Sequence, residues 1–283
     1  MFARFQRSWD LAAACMRLLL EDKSLLVFPL LSSIAVVLVV GSFAVPLLPL
    51  AGILSSRTAE HTPSSLTYVA LFLFYWLQFS IIVFFNTALV EVAMRRFDGK
   101  SATIGEGLQR AWSRLPTILV YALIAATVGT VLRIVAERVG LIGRIVIGLI
   151  GFAWTVATAL VVPVLAAEDI GPLDAVRRSV ELIKKAWGED IIGNAGIGLV
   201  FGVVHFVVML SGGFLTIAAF AAHDVALGVV LLIALILAVC LLALAQTALQ
   251  GIYAAALYRY ASGDPISGSI DRALLEDAFR KKT

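Results

Sequence analysis

The sequence predicts an all-α polytopic membrane bundle: six transmembrane helices, with amphipathic interfacial helices among the connectors on one side. Three observations carry this. Hydrophobic residues are 61% of the 283 and charged residues only 14%, where soluble chains run nearer half and a quarter. Mean hydropathy is +0.99, and the apolar residues come in blocks long enough to cross a hydrocarbon layer of about 30 Å. Lys and Arg, finally, concentrate in alternate connectors.

Stretches free of Asp, Glu, Lys and Arg define the spans in order: Leu25–Leu50, Leu66–Val90, Leu115–Leu132, Ile145–Ala167, Ile191–Ile217 and Val225–Tyr258. The third is short and is expected to continue past Arg133, whose stem can snorkel. The sixth is about 51 Å long if fully helical, so it must tilt or project. The first begins too far into the chain, and is too long, for the apolar region of a removable signal. The chain thus reads as a single integral membrane domain over 1–283, with an N-terminal amphipathic helix at 1–24, six spans over 25–258 and a tail at 259–283.

Orientation follows from the basic residues. Eighteen fall in the N-terminal segment, the second and fourth loops and the C-terminal tail; four (Arg57, Arg133, Arg138, Arg144) fall on the other side. Both termini are therefore expected in the cytoplasm, in a cell inner (plasma) membrane. The net charge of +3 is too small to imply nucleic acid. Two cysteines, Cys15 and Cys240, make neither a disulfide framework nor a four-ligand metal site.

The connectors are patterned. Phe2, Phe5, Trp9, Ala12, Met16 and Leu19 form one helical stripe, and Leu173, Val176, Val180, Ile183 and Trp187 form another behind Pro172. Arg177, Arg178, Lys184 and Lys185 fall on the other faces of the second, so with Trp187 they are candidate lipid-surface residues. A weak repeat sets Arg110-Ala111-Trp112 before the third span and Lys185-Ala186-Trp187 before the fifth.

The run Arg7-Ser8-Trp9 with Asp22-Lys23-Ser24-Leu25-Leu26-Val27-Phe28-Pro29, and the stretch Val162-Pro163, Glu168-Asp169, Pro172-Leu173-Asp174-Ala175 and Arg178-Ser179, resemble a bacterial six-span integral membrane family of unknown function. The second stretch is also distantly similar to membrane domains fused to glycerophosphodiester phosphodiesterases. The resemblance implies a bacterial inner-membrane location and six helices. It carries no catalytic residues, and the soluble phosphodiesterase barrel has no counterpart here.

Motifs for zinc hydrolysis, nucleotide phosphates or a serine nucleophile elbow do not occur. His61, His205 and His223 fall in different elements, and Glu168-Asp169 and Glu189-Asp190 flank spans, where they balance nearby cations. No enzyme, cofactor or metal is expected. The candidate polar pocket is Gln78 and Asn86 in the second span, Asn194 and His205 in the fifth, and Gln246 and Gln250 in the sixth. Counting depth puts them in one layer, from the midplane to the cytoplasmic edge, so the spans two, five and six are expected to be neighbours. Such residues usually face other helices or a cavity. Gly198 and Gly202, at small-x-x-x-small spacing, are candidate helix-packing positions.

Two functional classes follow. One is a non-enzymatic scaffold, assembly or regulatory partner; the other is a transporter or channel for a small neutral or lipid-like solute. The expected partners are membrane lipids, with a protein partner or homo-oligomer compatible and nucleic acid not.

Overall fold

The computed structural model describes residues 13, 15–50 and 65–263, with side chains except at 44–50, 65–68 and 186–195. All regular structure among them is helical. A helical run over 15–21 meets the 3-10 turn Lys23–Leu26, whose start Asp22 caps by accepting the Ser24 N–H at 3.1 Å. Of the expected N-terminal stripe, Leu19 is buried and Met16 half-buried, and Phe2, Phe5, Trp9 and Ala12 lie outside the described residues. The chain continues as α1 (Val27–Leu50), α2 (Ser65–Phe97), α3 (Ile104–Ser113), α4 (Leu115–Arg138), α5 (Leu141–Thr158), α6 (Val161–Ala167), α7 (Pro172–Ala221) and α8 (Val225–Ser262).

Among the described residues, six stretches are long and apolar enough to cross a membrane: Lys23–Phe43, Val69–Phe97, Leu115–Arg138, Leu141–Ala167, Gly196–Ala221 and Val225–Ser262. This is an all-α bundle of the multi-pass membrane kind. The third span does run past Arg133, which pairs one turn on with Glu137 at 3.1 Å. The sixth is a helix of 38 residues, closed by Gly263, whose φ of 81° is a left-handed cap natural to glycine.

Two elements depart from expectation. The fourth span is broken at Ala159–Leu160 between α5 and α6. Pro163 has no N–H for the Ala159 carbonyl and its ring crowds that turn, so a straight helix cannot pass. Ser179, fully buried on α7, fills the gap: its hydroxyl accepts the Leu160 N–H at 3.1 Å and donates to the Ala157 carbonyl at 2.7 Å. The segment Leu173–Trp187, in turn, is not a separate surface helix. It is the first part of α7, a continuous helix of 50 residues. Pro172 at its start is the only proline in it, and glycine inside a helix costs only about 1 kcal/mol relative to alanine, so nothing in the sequence stops it. The face it buries is also rotated: Ala175, Ser179 and Leu182 with Ile183 turn inward, and Leu173 is 58% exposed.

α2 is the hub, packed on α1, α3, α4, α6 and α8, and α8 lies along α7. Most of the core gathers at one end, over Val83–Phe97, Ile118–Ala122, Leu160–Ala166, Ala175–Ile183 and Ala248–Ala261, around the fully buried Tyr253 and Phe28. The opposite stretches, such as 141–152, 203–217 and 225–241, leave most large apolar side chains exposed, as surfaces solvated by lipid do. Trp76 in the second span finds a partner for its indole N–H in the Leu119 carbonyl of α4, at 3.0 Å.

Candidate functional site

The buried end of the bundle is also its basic end. There the last turns of α2 and α8, the helix α3 and the short link between α6 and α7 meet. α3 is set by a reciprocal cap: the Thr103 hydroxyl accepts the Glu106 N–H at 3.3 Å, and the Glu106 carboxylate accepts the Thr103 N–H at 2.8 Å. This holds Gly107 against α2. A Cβ there would meet the Ala88 carbonyl oxygen and Val92 at 2.7 Å, an approach that only glycine permits.

Glu168 is the knot. One carboxylate oxygen accepts from Arg178 Nε at 3.0 Å and from the Tyr258 hydroxyl at 2.9 Å, while its backbone carbonyl accepts from Arg114 at 2.7 Å. Three elements, α7, α8 and the turn before α4, thus close on one residue of the link. Beside it Arg110 donates its Nε to the Ala166 carbonyl at 2.7 Å and pairs with Asp169 at 3.2 Å, and Arg114 also contacts Asp169. These are charge-assisted bonds, the stronger kind. The Glu168 hydrogen bond pushes the Arg178 guanidinium further up. Burial, then the neighbouring Arg110, push that of Arg114 down.

On the other side, Arg259 donates to Asp98 at 2.8 Å, joining the end of the sixth span to the end of the second. Arg95 pairs with Glu91 at 2.7 Å and with Glu106 at 3.4 Å, and Arg96 pairs with Asp22 at 2.8 Å. Between these groups is a cavity of about 650 Å³. Four cations (Arg95, Lys100, Arg110, Arg259) and two carboxylates (Glu91, Asp98) line it, with Tyr258 and the apolar Met94, Ala166 and Ala167. Among the described residues no group of three or more His, Cys, Asp or Glu is placed to hold a metal.

The polar residues picked out in the spans lie elsewhere. Gln78, Asn86, His205, Gln246 and Gln250 are each half-buried, and none lines this cavity. His205 hydrogen-bonds the Phe201 carbonyl of its own helix at 2.8 Å. Asn194 has its side chain outside the described set. Span two packs on span six and span six on span five, whereas two and five, expected to be neighbours, have no substantial contact. At Gly198 and Gly202 a Cβ would meet nothing within 4 Å among the described residues. Close approach falls instead at Gly107, and at Gly212, where a Cβ would come within 2.6 Å of Leu235.

Of the lipid-surface candidates, Arg177, Lys184 and Lys185 are exposed, whereas Arg178 is turned into the network by Glu168; the Trp187 side chain lies outside the described residues. The network residues Arg110, Arg259, Asp98 and Ser179 carry no local signal of their roles, because their partners are remote in the chain. The one usable hint was the grouping of Pro163, Glu168-Asp169 and Arg178-Ser179 in a single stretch, which the fold brings together.

No curated protein and no solved structure matches the chain. A family model does match, over residues 65–268, and that range holds all of the basic-end network except its link to Asp22. The chain, with its six apolar helices, belongs to the DUF6159 family, a family of unknown function.

Proposed function

We propose that the protein is a non-enzymatic component of a bacterial inner membrane, a scaffold, assembly or regulatory partner whose basic end faces the cytoplasm as a fixed contact platform. The reading rests on one observation above the others. The charged groups of the basic end tie remote segments to one another, as in the closure of Arg178, Tyr258 and Arg114 on Glu168. A reacting centre needs a nucleophile or a proton-transfer group held free for substrate; a platform needs its shape fixed. The placement of 18 of 22 basic residues on the side of this end supports the cytoplasmic orientation. The exposed Arg177, Lys184 and Lys185 suit contact with anionic lipid.

Transport of a small neutral or lipid-like solute is the competing reading, and one experiment separates the two. Single cysteines replace Asn86 and Gln246 in a background without Cys15 and Cys240, and a water-soluble thiol reagent is applied to protein in bilayers. A platform leaves both positions unlabelled. Labelling of both, with lipid-facing controls silent, means a water path inside the bundle and overturns the reading.

A further inference from the structure

We propose that the cavity at the basic end is a binding site for a phosphate group, carried either by a lipid headgroup or by a soluble phosphate ester. The inference deepens the platform reading and rests on it, by naming what that end holds.

The lining carries four cations against two carboxylates. The arginines are already positioned by bonds that do not exhaust them. A guanidinium has five N–H donors in a fixed fork. Among the described residues Arg110 uses three, toward Ala166, Asp169 and Ala167, and Arg259 uses Nη2 alone, shared between Asp98 and the Met94 carbonyl. Each therefore keeps donors for a ligand without having to reorganise. A tetrahedral oxyanion matches that fork two oxygens at a time. Lys100 is the loosest cation, 70% exposed and 3.7 Å from Asp98, and so is free to swing onto a ligand. Met94 lines one side with a buried apolar side chain, while the Ala166 and Ala167 carbonyls hold the Arg110 guanidinium in place. The volume of about 650 Å³ is too large for a bare ion and falls in the range of small-molecule pockets, so phosphate with its alcohol fits it better.

The test is a titration of the full chain in uncharged detergent, read by native mass spectrometry. The probes are phosphatidylglycerol, glycerol phosphate and, as the phosphate-free control, diacylglycerol. Wild-type protein should form one saturable adduct with a phosphate-bearing probe and none with diacylglycerol. Binding of phosphatidylglycerol alone assigns the site to a headgroup, and binding of glycerol phosphate assigns it to soluble esters. Lys100→Ala should weaken binding on the order of tenfold. Asp98→Asn should tighten it severalfold by freeing Arg259 and Lys100. Arg144→Ala, on an exposed α5 position at the opposite end from the cavity, should change nothing. Thermal melting of each variant establishes that it is folded; should Asp98→Asn melt early, Lys100→Ala decides. The proposal falls if diacylglycerol binds equally well, if Lys100→Ala binds like wild type, or if Arg144→Ala weakens binding as much as Lys100→Ala does. Cysteine labelling inside the bundle would remove the platform reading yet leave this titration unmoved, so the two failures are distinct.

Discussion

The hydroxyl of Ser179 on α7 stands between the Leu160 N–H, 3.1 Å away, and the Ala157 carbonyl, 2.7 Å away, and so completes a helix that its own backbone cannot complete. Ser179→Ala leaves both groups buried without that partner. The expected cost is about 2 kcal/mol, read as a lower melting temperature in detergent. Adding Pro163→Ala should recover part of the loss, because residue 163 then has an N–H for the Ala159 carbonyl. Unchanged melting of the serine variant would show that the hydroxyl bridges nothing of consequence.

Glu168 and Arg178 are coupled through a bond of 3.0 Å between side chains 25% and 33% exposed. A double-mutant cycle with Glu168→Ala and Arg178→Ala should return an interaction of about 1 kcal/mol. The single glutamate variant should lose more than that, since Tyr258 loses its acceptor too. Additive losses would mean the two side chains act independently.

Glycines sort by what surrounds them. Gly107→Ala forces a Cβ onto the Ala88 carbonyl oxygen and should destabilise by about 1–3 kcal/mol. Gly198→Ala and Gly202→Ala, with no neighbour within 4 Å among the described residues, should be neutral or stabilising by up to about 1 kcal/mol through the unfolded chain. Chemical denaturation of the three variants ranks them directly. Gly198→Ala losing as much as Gly107→Ala would point to a neighbour that the single chain does not contain.

The two cysteines should behave differently toward thiol reagents. Cys15 is buried, and burial pushes its thiol up to about 12, which leaves on the order of one thiolate in ten thousand at pH 8. Folded protein should therefore resist alkylation at Cys15 until denaturant is added, while the exposed Cys240 reacts with a membrane-permeant reagent. Rapid labelling of Cys15 in folded protein would contradict the packing of the N-terminal helical run.

The cap of α3 gives a pH dependence. The carboxyl of Glu106 is held below the usual carboxylate range by the Thr103 N–H, then by the Thr103 hydroxyl, with Arg95 adding attraction. A group depressed in the folded state stabilises above its unfolded pKa, and that contribution drains away as the pH falls through the folded value. Protection factors over α3, with the intrinsic pH dependence of exchange divided out, should accordingly fall below about pH 4. In Glu106→Gln the acid-linked part of that change should vanish, and Thr103→Ala should cost about 1 kcal/mol at neutral pH.

Much of the fold is legible in the residues, because span length and charge are local quantities. The runs Leu115–Leu132 and Val225–Tyr258 appear as α4 and α8 with small extensions. What was illegible depends on distance along the chain. That Pro163 breaks the fourth span could be read; that Ser179 repairs it could not, since a hydroxyl on another helix carries no periodic signal. Depth counting placed Gln78 and His205 in one layer, but depth says nothing of azimuth, and their helices share no substantial contact. Glu168-Asp169 looked like ordinary charge balance. The identity of its partners, Arg178, Tyr258, Arg110 and Arg114, emerges only when four segments meet.

The length of α2 and α8 has a consequence for how the molecule is solvated. At 33 and 38 residues, α2 and α8 reach about 50 and 57 Å, some 20 Å or more beyond the hydrocarbon thickness. The surplus carries Arg95, Arg96 and Arg259, so part of the packed core stands where water begins. Burial there is driven by water's exclusion of apolar surface, a force absent between helices bathed in acyl chains. One polypeptide is thus folded by two different solvents, so chaotropes act first on the basic end, whereas bilayer thickness governs the spacing of the helices at the other.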